Sequence, residues 1–260
     1  MSFLKTNTVT QIVLLLVIGI IYFAIQYYAK QGKTWKVRRL AGVDAIEEAV
    51  GRATELNRPV AFFPGEGKLQ DAKSGDTIAA VAILTHVTRL CARLGTPMFV
   101  HTHLEETVPL LQDVCQNAYM LEGKEDAYDP VTTVRYIGSG TQAYLYGVNL
   151  FHIEHIAVNM LFGDLGIESL TMAEEGNRLG AVGIAGSTRI SNVAFLVAAM
   201  DYVVLSDELF AAAAYVSGDP VQISTVSASD IIKIGVILLA ILGPILVAAG
   251  VDLPGIYYPS

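Results

Sequence analysis

The 260-residue chain is 53% hydrophobic and 16% charged, more apolar and less charged than soluble domains at about 45–50% and about 25%. Its formal net charge is −8, and between positions 40 and 229 ten Lys plus Arg stand against 23 Asp plus Glu, a net −13. That balance disfavours nucleic acid as a partner, because phosphate binding needs a basic footprint.

The apolar excess lies mainly in two charge-free runs, 9–28 and 234–251, each close to the roughly 20 residues that cross a hydrocarbon core. The first carries Tyr22, Tyr27 and Tyr28 in its second half and is followed by Lys30, which reads as an uncleaved anchor better than as a secretory signal with a small-residue cleavage site. The second contains Gly235, Gly243, Pro244 and Gly250, tolerated in a membrane helix where neighbours satisfy the backbone. A buried core helix is the other reading of it. Lys30, Lys33, Lys36, Arg38 and Arg39 follow the first run, while the tail after the second has no Lys or Arg. The positive-inside rule then places both termini outside and the intervening domain in the cytoplasm of an inner membrane. The same five basic residues are a candidate contact for anionic lipid headgroups.

The expected organisation is an anchor at 1–29, a basic juxtamembrane segment at 30–42, an α/β domain at 43–229, a second membrane helix at 230–252 and a short outer tail at 253–260. Within the domain, 43–56 has apolar residues at three- and four-residue steps and stops at Asn57 and Pro59, the pattern of a helix with one apolar face. A short apolar strand at 59–63 is closed by Pro64 and Gly65. Asp76 is a candidate N-cap for a helix ending on Gly95. Strands are expected at 96–102, 133–138, 181–186 and 202–207. Helices are expected at 104–123, from 141 to about 162, through 172–179, at 192–200 and at 208–218. This alternation implies a doubly wound, mainly parallel five-stranded sheet in a Rossmann-like three-layer α/β fold. Cys91 and Cys115 fall in helical patterns and face a reducing compartment, so they read as small buried residues rather than a disulfide.

Ligands of such sheets bind outside the carboxyl ends of the strands, where the loops read PGEGK (64–68), HTHLEE (101–106), GSGTQA (138–143), GSTRIS (186–191) and SDE (206–208). The candidate ligand-binding residues are Gly65, Gly67, Lys68, Gly138, Ser139, Gly140, Thr141, Ser187, Thr188 and Arg189. GSGTQA has the spacing of a phosphate-binding glycine turn, but it follows the third strand, whereas a dinucleotide fold carries that turn after its first; a plain tight turn explains it as well. Ser187, Thr188 and Arg189 offer an anion one guanidinium at a helix start, although helix capping accounts for the Ser and Thr. His101, His103, His152 and His155 could ligate zinc or iron. The competing reading is a polar helix stripe of Asn149, His152, His155 and Asn159. No nucleophile motif occurs, no catalytic residue is named, and no cofactor is identified.

The stretches AGVDAIEEAVGRATELNRPVAFFPGEG, DTIAAVAILTHVTRLCARLGTP and ESLTMAEEGNRLGAVGIAGST, continuing through MDYVVLSDELFAAAAYVSGDP, resemble a prokaryotic family of membrane-anchored proteins known by a domain of unknown function. The resemblance implies a helix-flanked α/β domain fixed to a membrane and brings no activity. Two functional expectations follow. The leading one is a non-catalytic scaffold subunit that meets the lipid bilayer and assembles with copies of itself or with other membrane subunits, since Ala240, Gly243 and Ala248 suit close helix approach. The other is a sensor or enzyme that binds a nucleotide or anion at the loops after the strands.

Overall fold

The computed structural model of the chain describes residues 6–31 and 41–248. Lys33, Lys36, Arg38, Arg39 and the tail at 253–260 lie outside the described residues, as do the side chains of Lys30 and Ala248 and the surroundings of Gly243. The chain divides into two compact units, Arg38–Ser217 and a helical unit made from its two ends.

The larger unit is α/β. In chain order it holds α2 (Ala41–Leu56), β1 (Val60–Phe63), α3 (Ser74–Leu94), β2 (Met98–Thr102), α4 (Val108–Leu121) and the short α5 (Pro130–Thr133). It continues with β3 (Val134–Tyr136), α6 (Thr141–Glu154), β4 (Val158–Phe162), α7 (Ser169–Arg178), β5 (Val182–Ser187), α8 (Ile190–Ala199), β6 (Tyr202–Leu205) and α9 (Glu208–Ser217); α1 (Thr6–Lys30) and α10 (Pro220–Ala248) form the helical unit. The breaks follow local chemistry. Asn57 follows α2 at φ 49°, and α3 ends on Gly95 at φ 74°, whose N–H donates to Cys91 O. The Asp129 carboxylate accepts from Val131 N at 3.1 Å to start α5. Asp76 is not the N-cap expected of it: the helix begins at Ser74, so Asp76 sits inside the first turn, where its buried carboxylate is available to another partner.

The sheet has six strands, all parallel, in the order β3-β2-β1-β4-β5-β6. Five were expected, and the sixth, β4, was absorbed into an over-long helix at 141–162. The helix stops instead at Glu154, because His155 turns into the left-handed region at φ 51° and its N–H closes on Phe151 O. The apolar run after it is buried at every position of β4, as a strand covered on both faces must be. Asn159 therefore leaves the supposed helix stripe: it lies on β4, fully buried, with its side-chain N–H donating to Met172 O at 2.9 Å.

Alternation along the strands supplies the two cores. Val60, Phe62, Met160, Phe162, Ile184 and Val204 face α2, α3, α4 and α9. Ala61, Phe63, Phe99, Leu161 and Ala185 face α6, α7 and α8. Phe62 stacks on Phe162 across β1 and β4, with ring centroids 5.8 Å apart. The buried free thiols of Cys91 and Cys115 belong to the first core.

In the helical unit, α1 and α10 are in contact. Their 25 and 29 residues correspond to about 37 and about 43 Å. Both carry exposed apolar side chains, among them Leu15, Ile20 and Phe23 on α1 and Ile234, Ile237 and Leu238 on α10. By length and composition α10 suffices to cross a bilayer, α1 carries an apolar stretch at Leu14–Ala29 among the described residues, and α3 meets the same criterion as α10 while being half buried as a core helix.

Candidate functional site

The strand order places β1 beside β4, with successive connections running outward from that pair in opposite directions. Ligands of doubly wound sheets bind outside the carboxyl ends of the strands at this reversal point. Two loops meet there, 64–73 after β1 and 163–168 after β4, and they meet at close range. Glu66 N donates to Asp164 O at 2.7 Å. A Cβ on Gly65 would stand 2.8 Å from the Asp164 backbone, and one on Gly163 would stand 2.5 Å from Pro64 O; both glycines have positive φ, 83° and 113°. Only glycine permits this approach.

Side chains from four segments converge on these loops. The Arg189 guanidinium, at the start of α8, holds Asp164 with two hydrogen bonds, Nη2 to Oδ2 at 2.7 Å and Nε to Oδ1. Its Nη2 also stands 3.9 Å from Glu66 Oε2. Glu66 Oε1 accepts from Gly166 N at 2.8 Å and from the Tyr144 hydroxyl on α6. Thr188 donates to the buried carboxylate of Asp76, which ties α3 to the loop after β5. Asn192 donates to Leu165 O at 2.7 Å, and Thr77 to Gly67 O at 2.7 Å. Burial raises the Tyr144 hydroxyl pKa, and the bond to Glu66 raises it further, so the proton stays on the phenol and Tyr144 acts as donor. The bond to Asp164 holds the Arg189 pKa above its ordinary value.

Beside this network, at the carboxyl ends of β1, β2 and β3, lies an open depression of about 520 Å³ lined by Lys68, His103, Leu104, Glu105, Glu106, Tyr136 and Ser139. Beneath it the rings of His101 and His103 pack on Phe63, with centroids at 5.3 and 5.8 Å. His101 is fully buried, and neither of its ring nitrogens has a hydrogen-bond partner among the described residues. Burial, then Arg135 and His103, push its pKa down to about 3, so it is neutral. Burial also lowers the pKa of His103. A smaller cavity of about 270 Å³, lined by Glu48, Arg52, Asn177 and Asp201 among others, lies where β5 and β6 begin, the edge opposite to that used by ligands of such sheets.

A family model described as a domain of unknown function, DUF6754, matches residues 1–255. The chain belongs to the DUF6754 family. No curated protein and no solved structure matches it.

The sequence-derived candidates separate into three groups. Gly65, Gly67, Ser187, Thr188 and Arg189 fall in or against the β1–β4 network; the Ser187 hydroxyl accepts from Arg189 N at 3.3 Å. Lys68 and Ser139 line the depression. Gly138 and Gly140 take positive φ, 87° and 74°, with open space around the missing Cβ, and Thr141 begins α6. The four histidines do not gather. His152 Nε2 is 2.8 Å from Glu175 Oε1, and His155 caps α6. Among the described residues no group of three or more His, Cys, Asp or Glu could hold a metal ion. Glu66, Tyr144, Asp164 and Gly166 were missed as site residues, although Gly163 closing an apolar run was a punctuation signal for the loop after β4.

Proposed function

We propose that this chain is a membrane-anchored α/β module that binds a small anionic molecule at the carboxyl edge of its sheet, across the loops after β1 to β5. The observation that carries the reading is the reversal of strand order between β1 and β4, at which the polar network and the depression around Lys68 and Ser139 stand side by side. A nucleotide is one anion of suitable size. Anchoring rests on the exposed apolar side chains of α1 and α10, and orientation on the basic residues at 30–39; they support a membrane protein with outward termini and a cytoplasmic domain.

Binding is tested by thermal unfolding of the full chain in detergent against a panel of nucleotides and small anions. A ligand at 100 times its dissociation constant adds about 2.7 kcal/mol. The gain should shrink in Lys68→Ala and Ser139→Val. A panel without a hit removes the reading. Topology is tested by protease protection in spheroplasts: cleavage of the α/β unit from outside in intact spheroplasts would refute the orientation.

A second reading, a scaffold subunit in a larger membrane assembly, is favoured by α8. This helix carries no charged residue and exposes Ile190, Phe195 and Val197, side chains that a partner subunit could cover. A particle of monomeric mass in mild detergent at native expression would remove it.

A further inference from the structure

Two hydrogen-bond donors and one guanidinium at ion-pair distance, from separate parts of the fold, surround one place near the β1–β4 reversal. They are the main-chain N–H of Gly166 after β4, the phenol of Tyr144 on α6 and the guanidinium of Arg189 after β5. A guanidinium, a neutral phenol and a peptide N–H are a set that recognises an oxyanion. The place is filled by the chain's own Glu66 carboxylate, whose side chain keeps 19% of its exposure. The seat is shaped for it: a Cβ on Gly166 would fall 2.0 and 2.5 Å from the two carboxylate oxygens, so a side chain there would evict the anion.

Glu66 arrives from a loop unlike the three segments that hold it. Its neighbours are Gly65 and Gly67, and the loop beyond is exposed from Lys68 through Lys73. The carboxylate is thus presented from a buried, glycine-flanked stretch at the root of an exposed loop, and its own side-chain rotation carries it into or out of the seat. We infer that this seat is a carboxylate-recognition subsite, occupied in the resting chain by Glu66, and that the carboxylate of a small-molecule ligand binds by displacing Glu66 outward. This rests on the reading of the carboxyl edge as a ligand site and assigns the class of anion it takes.

Charge decides between carboxylate and phosphate. Asp164 already takes both Nε and Nη2 of Arg189. Asp76 lies against the same loops through Thr188. Arg189 is already matched by Asp164, so the seat tolerates no more than the single negative charge that Glu66 places there. A phosphate dianion would add a second charge with no further cation in the seat and would meet like-charge repulsion.

The test uses the full chain in detergent, with acetate, succinate and inorganic phosphate as probes, measured by calorimetric titration and by trypsin cleavage after Lys68 and Lys73. Glu66→Ala vacates the seat and should bind acetate and succinate at least about tenfold more tightly than the natural chain, a change of about 1.4 kcal/mol, with no comparable gain for phosphate. Adding Tyr144→Phe should remove most of that gain. In the natural chain, saturating succinate should speed cleavage after Lys68 and Lys73, because one of the loop's anchors is released; a purely structural Glu66 would leave cleavage unchanged or slower. A folded Glu66→Ala variant with no gain for carboxylates overturns the inference, and so does a larger gain for phosphate. Should Glu66→Ala fail to fold, Glu66→Gln decides: it keeps the acceptor oxygen and loses the charge, a gain of about threefold is expected, and no gain overturns the inference. A natural chain that binds a panel ligand with an affinity indifferent to Glu66 substitution would remove the inference and leave the ligand-site reading standing.

Discussion

Replacing His101 with Phe should make the α/β unit less sensitive to acid. The imidazole has no exposed surface, stacks on Phe63 and meets Phe151 edge-on at 5.5 Å, and its two nitrogens lack partners among the described residues. Burial, assisted by Arg135 and His103, holds its pKa near 3 against 6.5 for an ordinary histidine. The unfolded chain therefore takes up a proton as pH falls through 6.5, while the folded chain refuses it until about 3. Stability tied to this group is complete above the unfolded pKa and is lost progressively as pH falls between those values. At about pH 5 the loss is about 2 kcal/mol, or about 4–8 °C in a domain of this size. Phe removes the titration and the orphaned nitrogens while preserving a planar ring among aromatics. Thermal unfolding of the full chain in detergent, at about pH 7.5 and about pH 5, should show His101→Phe no less stable at the higher pH and losing about 4–8 °C less than the natural chain on acidification. An identical acid loss in both proteins, or a marked fall of the variant at about pH 7.5, would refute the argument, since either result means the ring nitrogens have a partner.

Gly163→Ala should be far more damaging than Gly138→Ala. Both have positive φ, but a Cβ at 163 would stand 2.5 Å from Pro64 O, whereas none of its surroundings come within 4 Å at 138; comparative thermal unfolding should show a cost of about 1–2 kcal/mol at 138 and a distinctly larger one at 163. Phe62→Ala opens a cavity against Phe162 in a fully buried site and should cost about 3–5 kcal/mol, read in the same assay. Burial raises the pKa of both Cys91 and Cys115, the latter to about 12, so a maleimide at about pH 8 should label neither in the folded chain and both after denaturation. Rapid labelling of the folded chain would contradict the packing of α3 against α4.

The strands at 60–63, 98–102, 134–136, 182–187 and 202–205 were legible because short β-branched or aromatic runs stood between clear turn residues. The strand at 158–162 was not. Its apolar run follows α6 after only three residues, and the stop is a histidine in the left-handed region rather than the glycine or asparagine that usually marks one. Asn149, His152, His155 and Asn159 happen to keep helical spacing across the break, and periodicity alone does not separate a buried strand from a buried helix. Losing β4 also hid its following loop, and with it Asp164 and Gly166. Glu66 lay in view within PGEGK, but its importance is a matter of which distant donors reach it. Tyr144 is 78 positions away and Gly166 is 100, and no local pattern encodes either pairing.

Contact between α1 and α10 within the helical unit makes the intervening chain a closed circuit. If those two helices stay paired while the α/β unit melts, the melted chain is a tethered ring of about 180 residues with fewer conformations than a free strand. By the polymer relation used for cross-links, such closure is worth on the order of 5 kcal/mol against unfolding. The helix pair would then work as a noncovalent clasp, raising the stability of the domain by restricting its unfolded chain. Separating the two helices by mutation should lower the melting temperature of the sheet even though every residue of its two cores is unchanged.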